Sequence, residues 1–220
     1  MIVTTPRNLT KATRPPSDLY RRAALALAGA LRQGGYRSTL ISSGVAREGT
    51  TISAIQICRE LARAFGLKPL LIEANGVRPS LARMFELDDR RSLSTIMSFR
   101  DTVRECVQHD PTGLAMIPWG EAATSFLQPS VEDTVSYAVE KLQDSFDVIL
   151  VDVPPILESP DVLLAGRVIP QLVLVVGAGK ASRESLDLAC QQLQEANIKV
   201  IGTILNAKKR VIPRWLERWL

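Results

Sequence analysis

The chain is poor in the residues that build metal centres and disulfide frameworks. It has one histidine, His109, and three cysteines, Cys58, Cys106 and Cys190, widely spaced in apolar surroundings. A lone histidine cannot assemble a zinc site, and an odd, scattered set of thiols reads as buried free cysteine rather than as a disulfide scaffold. No run approaches the roughly eighteen apolar residues that a membrane span requires. The opening Met1-Ile-Val-Thr-Thr-Pro6 has no apolar core of the signal-peptide kind, so a cytoplasmic protein is expected. Aromatic residues make up only 5% of the chain, and its basic ends carry no reader motif, which argues against nucleic-acid binding. Tyrosine occurs at positions 20, 36 and 137 alone, with none near the C-terminus.

With 220 residues, 46% apolar and 23% charged, the chain has the composition of a folded globular domain and the length for one filled core. The net charge of +4 is modest, but basic residues gather in 7–22 and 208–218. An acidic membrane surface, an acidic partner or simple solubility would each account for that distribution.

Residues 1–17 hold Pro6, Pro15 and Pro16 among small polar and basic residues, the composition of a flexible basic arm. Alanine and leucine at helical spacing then predict a helix over 18–32, ended by Gly34-Gly35. A short buried strand at 38–43 leads to a glycine loop, and a helix follows over 51–65 with Ile52, Ile55, Leu61 and Ala62 toward the core. Further strands are expected at 68–74, 114–118, 147–153, 172–176 and 199–205. Between them the pattern predicts a helical connection containing 92–99 and helices over 131–143 and 183–195. Continuous apolar strands alternating with helices specify an α/β fold, a doubly wound, mainly parallel sheet flanked by helices. Its ligand site belongs at the carboxyl ends of the strands, where the loops at 44–51, 73–79 and 152–161 gather. The resulting division is an arm over 1–17, the α/β domain over 18–206 and a basic amphipathic tail over 207–220.

The loop Ile41-Ser-Ser-Gly-Val-Ala-Arg-Glu-Gly-Thr-Thr51 has the spacing of a phosphate-binding loop, with four residues between Gly44 and Gly49. In G-x-x-x-x-G-K-[ST], backbone N–H groups surround phosphate oxygens, the lysine neutralises the β/γ charge and the hydroxyl serves Mg²⁺. Thr50 stands where that lysine belongs. The candidate nucleotide-binding set is therefore Gly44, Val45, Ala46, Arg47, Glu48, Gly49, Thr50 and Thr51, with its cation missing. The loss removes a charge-assisted contact of about 1.5–3 kcal/mol in binding and more in the transition state, so affinity can survive where turnover should not.

Three segments together resemble the bacterial tyrosine kinases (BY-kinases) of capsule and exopolysaccharide export, members of the deviant Walker A branch of P-loop ATPases, over 18–206. The family's first motif, S-x-x-P-G-E-G-K-[ST], is similar to 43–51, which keeps Ser43, Glu48, Gly49 and Thr51 but has Ala46, Arg47 and Thr50 at the Pro, Gly and Lys positions. The second, L-I-D-x-D-x-R-x-P, is similar to 71–79, with Glu73 and Asn75 replacing its aspartates and Val77 its arginine, next to Arg78. The third, F-D-x-[IV]-[IL]-[IV]-D-x-P-P, is matched in full by 146–155, with Asp161 also in place. Arg78-Pro79-Ser80-Leu81 and Ser92-Leu-Ser-Thr-Ile96 resemble the export branch in particular. The branch's C-terminal tyrosine cluster is missing, and its oligomerisation motif E-x-x-R-x-x-R is reduced to Asp18, Arg21 and Ala24. The wider class's additional lysine, near the start of the loop, is replaced by Val45.

The resemblance implies ATP or ADP with Mg²⁺ as ligand. Thr51 and Asp152 would hold the metal, while Thr50, Glu73 and Asn75 are degenerate catalytic positions, neutral Asn75 being unable to act as a base. Asp152 has a second reading, as the end of a buried strand above the Pro154-Pro155 turn. Asn206 resembles the family's adenine-contacting asparagine, and also suits a turn. Arg47 is either a phosphate ligand or an exposed loop arginine, and Lys180 of Gly177-Ala-Gly-Lys180 either a nucleotide neighbour or a plain loop residue.

In the tail, Ile212, Trp215, Leu216, Trp219 and Leu220 fall at i, i+3, i+4, i+7 and i+8, opposite Arg210, Arg214, Glu217 and Arg218. Such a helix suits a lipid interface, a partner's groove or the domain's own surface, and is marginal alone. The expected function is a catalytically impaired BY-kinase-like subunit, cytoplasmic and peripheral to the bacterial inner membrane, regulating or scaffolding a polysaccharide co-polymerase or export membrane protein, as a homodimer or higher oligomer. The alternatives are an active positioning-type ATPase that meets the membrane through the tail, and an active tyrosine kinase acting on a partner.

Overall fold

The computed structural model describes residues 2–3, 17–98, 102–120 and 130–206. The C-terminal tail, and the expectations placed on Trp215, Trp219 and their neighbours, lie outside the described residues, as does all of the N-terminal arm but its residues 2, 3 and 17.

The strands are β1 (Ile2–Val3), β2 (Ser38–Ser43), β3 (Pro69–Glu73), β4 (Gln108–His109), β5 (Ala115–Ile117), β6 (Val148–Asp152), β7 (Gln171–Gly177) and β8 (Lys199–Asn206). The helices are α1 (Ser17–Gly34), α2 (Thr50–Phe65), α3 (Leu81–Phe85), α4 (Leu93–Met97), α5 (Val131–Leu142), α6 (Asp161–Val168) and α7 (Arg183–Glu195). One sheet runs in the order β1-β8-β7-β2-β6-β3-β5-β4. Every pairing is parallel except that of β4 with β5.

Side-chain alternation explains why the strands are apolar throughout. Leu40 of β2, Leu70 and Ile72 of β3, Ile149 and Val151 of β6, and Leu172 and Leu174 of β7 enter a core shared with α4, α5, α6 and α7. Their neighbours Ile41, Leu71, Val148, Leu150, Val173 and Val175 enter a second core beneath α1, α2 and α3. Each strand of the centre thus buries both faces, the condition that makes a parallel sheet stable. α2 ends in a Schellman-type turn in which Gly66, at φ +64°, donates to Ala62 O at 3.1 Å and Leu67 to Leu61 O at 3.2 Å.

Several expectations need correction. Ile55 and Leu61 are buried and half-buried Ile52 packs against the same core, whereas Ala62 is exposed; Ala54, Ile57 and Cys58 also face the core. Ala62 alone departs from the expected stripe, because a small alanine suits either face of a helix. Cys58 and Cys106 are buried and Cys190 half-buried, with no disulfide among them, and burial pushes the Cys58 thiol up to about 12. Strands β1 and β4, helix α3 and helix α6 are additions, all too short to show a period in sequence. β1 corrects the expected arm at its start, since Ile2 and Val3 pair with Leu205 and Asn206 of β8 as an edge of the sheet. No described helix is long and apolar enough to cross a membrane.

Candidate functional site

The site stands at the carboxyl ends of β2, β3, β6, β7 and β8, where the glycine loop joins β2 to α2. Its glutamate holds it in shape. Glu48 is buried, and its carboxylate accepts Val45 N–H at 3.1 Å and Gly177 N–H at 2.6 Å, tying the loop to the end of β7. From β8, buried Asn206 donates its amide to Glu48 O at 2.7 Å. Gly49, at φ +90°, caps α2 where any Cβ would overlap that amide, so the position admits only glycine. Lys180 Nζ donates to Arg47 O. Asn206 and Lys180 thus both meet the loop, through its backbone.

Arg47 itself is exposed and adopts φ +63°, the left-handed region that a glycine there would enter without strain. Thr50 opens α2, half-buried, with no charged group in the position of a loop lysine.

On the other flank, Thr51 and Asp152 come together. Thr51 Oγ1 donates to Asp152 Oδ2 at 2.6 Å, while Asp152 Oδ1 is buried with no partner. Burial pushes the Asp152 carboxyl up to about 7, the neighbouring Glu73 charge adds to the rise, and the Thr51 hydroxyl opposes it. A fully buried oxygen without a donor beside a hydroxyl is an oxygen donor set waiting for a cation, so these residues fit Mg²⁺ or one of its waters.

Glu73 is the register partner of Asp152 on the adjacent strand, yet its surroundings differ. Its Oε1 accepts Ser80 N–H at 2.6 Å, Leu81 N–H at 3.1 Å and Ser80 Oγ at 3.2 Å, and its Oε2 accepts Trp119 N–H at 3.1 Å. Burial raises its pKa and those four donors pull it back. The longer arm carries the carboxylate into the start of α3, where it holds the 80–81 and 118–120 segments together. Asn75 Oδ1 accepts Arg78 N–H at 3.2 Å and closes a turn. Both residues at the two aspartate positions thus accept backbone N–H groups of the chain itself.

Three contributors escaped the sequence reading. Glu158 places its carboxylate on Ala46 N–H at 2.8 Å. Trp119 lays its ring against Gly76, a position where a Cβ would meet the indole at 2.5 Å. Ser80 donates twice to Glu73.

No family model matches the chain. Among curated proteins it is 26% identical to tyrosine-protein kinase YwqD of Bacillus subtilis, over 92% of this chain and 87% of that one. It is also 26% identical to tyrosine-protein kinase CpsD of Streptococcus agalactiae, over 72% of this chain and 70% of that one. Its homologues are bacterial tyrosine kinases. Tyrosine-protein kinase etk of Escherichia coli K12 matches at 26% over 63% of this chain, which spans only 19% of etk. In fold the chain is similar to the kinase domain of Escherichia coli ETK, with a TM-score of 0.75 and 21% identity over 96% of this chain and 91% of that domain. A plasmid partition protein of Borrelia burgdorferi bound to AMPPNP shares the fold at a TM-score of 0.64 and 17% identity, over 84% of this chain and 81% of that one. The chain thus shares the fold of both solved structures, a mainly parallel sheet flanked by helices.

Proposed function

We propose that the chain is a nucleotide-binding relative of these kinases with impaired turnover, a cytoplasmic regulatory or scaffolding subunit of exopolysaccharide biosynthesis or export at the inner membrane. One observation carries the reading: Asp152 keeps an unpartnered oxygen beside the Thr51 hydroxyl, while the carboxylate of Glu73 is held by four donors. The first arrangement suits binding, and the second withdraws the base.

When bound, Mg²⁺ would neutralise charge between the β- and γ-phosphates. Thr51 and Asp152 would hold it and the loop of 44–51 would receive the phosphates, while Asn206 and Glu48 keep that loop closed on β7 and β8. With no lysine at Thr50 and no base at Glu73 or Asn75, a bound nucleotide is not turned over. A persistent ligand makes a conformational signal, here one read by a polysaccharide co-polymerase or export membrane protein, by a second copy of the chain, or by a membrane surface meeting the tail.

The test is calorimetric titration with ATP and ADP, with and without Mg²⁺, beside a phosphotransfer assay. Mg²⁺-dependent binding without measurable turnover is expected. Robust Mg²⁺-dependent turnover that Asp152→Asn abolishes would sink the impaired half of the reading and favour the active kinase or ATPase.

A further inference from the structure

Glu158 lies six residues past Asp152, in the segment between β6 and α6, and its carboxylate rests on the phosphate loop. Oε1 accepts the Ala46 N–H at 2.8 Å, and Oε2 faces Arg78 Nη2 at 3.4 Å. The backbone fixes the approach. Ser42 Oγ donates to Pro154 O at 2.6 Å, Ile156 N–H to Ser43 O at 2.8 Å and Leu157 N–H to Gly44 O at 3.2 Å, so the segment runs along the loop.

A loop of this type presents its N–H groups to anionic oxygens. Here one of those groups already holds an anion that the chain itself supplies. The flank it occupies can be assigned. Asn206 and Gly177 grip Glu48 from the β7 and β8 side. Thr51 and Asp152, the pair suited to a metal between the β- and γ-phosphates, belong to the β6 side, and Glu158 follows from that same strand. Ala46 therefore faces the terminal-phosphate end of the cradle.

We propose that Glu158 is a specificity-determining residue that stands in for the terminal phosphoryl group of a nucleoside triphosphate. The inference rests on the reading that the loop binds nucleotide. A diphosphate enters with Glu158 in place. A triphosphate enters only by expelling the carboxylate, because two anions cannot share the Ala46 amide, and expulsion breaks the pairing with Arg78. The site discriminates against ATP through a built-in competitor.

The experiment is calorimetric titration of the full chain with Mg-ADP and Mg-ATP, for the wild type, Glu158→Gln and Glu158→Ala. The side chain is 30% exposed, and thermal melting of each variant checks that the fold is kept. The wild type should prefer ADP, and the ratio of ATP to ADP affinity should rise by about tenfold or more in both variants, mainly through tighter ATP. ADP binding with an unchanged ratio, or a wild-type preference for ATP, would overturn the role of Glu158 and leave the nucleotide-binding reading standing. Failure of both nucleotides to bind all three proteins would overturn both.

Discussion

Asp152 and Glu73 end neighbouring strands at the same register, both buried and both raised in pKa by that burial, yet one is available and the other is not. Asp152, on the shorter arm, meets one hydroxyl and keeps a bare oxygen. Glu73 reaches a methylene further, into a ring of backbone donors. The donors that 80, 81 and 119 bring to Glu73, and do not bring to Asp152, separate two carboxylates of one register. The difference teaches that two buried carboxylates side by side are not equivalent, since charge acts only where its lone pairs are uncommitted.

The contrast is most exposed at Glu73. Glu73→Ala strands the Ser80, Leu81 and Trp119 N–H groups, and urea denaturation should show a loss of roughly 3–5 kcal/mol. A loss below about 1 kcal/mol would return Glu73 to the list of available ligands.

Asp152 should respond to pH in the opposite sense from a salt-bridged acid. Burial pushes its folded pKa up to about 7, above the ordinary aspartate value of about 4, so its contribution to stability is full below about pH 4 and is lost as pH rises through 7. Without Mg²⁺, Asp152→Asn should therefore be more stable than the wild type at pH 8, by roughly 2–4 kcal/mol, with the gap closing toward pH 4. The same titration makes Mg²⁺ affinity rise through pH 7 in the wild type only, which calorimetry at pH 6 and pH 8 would check.

Thr50→Lys restores the cation without touching either carboxylate. It should tighten ATP by about 1.5–3 kcal/mol while phosphotransfer stays undetectable, because no base is returned. Turnover in that variant would show that the framework role of Glu73 is not what limits chemistry. The smallest effect belongs to the loop backbone: Arg47→Gly relieves the left-handed φ of +63° and should stabilise the protein by about 1 kcal/mol in thermal melting.

Much of the fold was legible in the chain. The apolar runs at β2, β3, β6, β7 and β8 specify strands buried on both faces, and helical spacing locates α1, α2, α5 and α7 to within a few residues. Short elements were not: α6 begins after Pro160 in a proline-rich segment, and β4 exists only as a partner of β5. At the site, the glycine spacing, Thr51 and Asp152 could be picked out because a loop and the strand-end carboxylate follow each other in fixed local patterns. Glu158 could not, since nothing in its neighbourhood announces that it will meet Ala46, 112 positions away.

By itself the sequence determined that a parallel sheet would form, that a phosphate-shaped loop would leave the strand at 38–43, and that this loop would have no lysine. These are properties of residue type and local spacing. Which carboxylates remain open was decided only by tertiary structure, because the availability of a lone pair depends on what the rest of the chain brings within about 3 Å of it. Packing committed Glu73 to α3, left Asp152 bare and laid Glu158 on the loop, and none of those three outcomes is written in the identity of the residue.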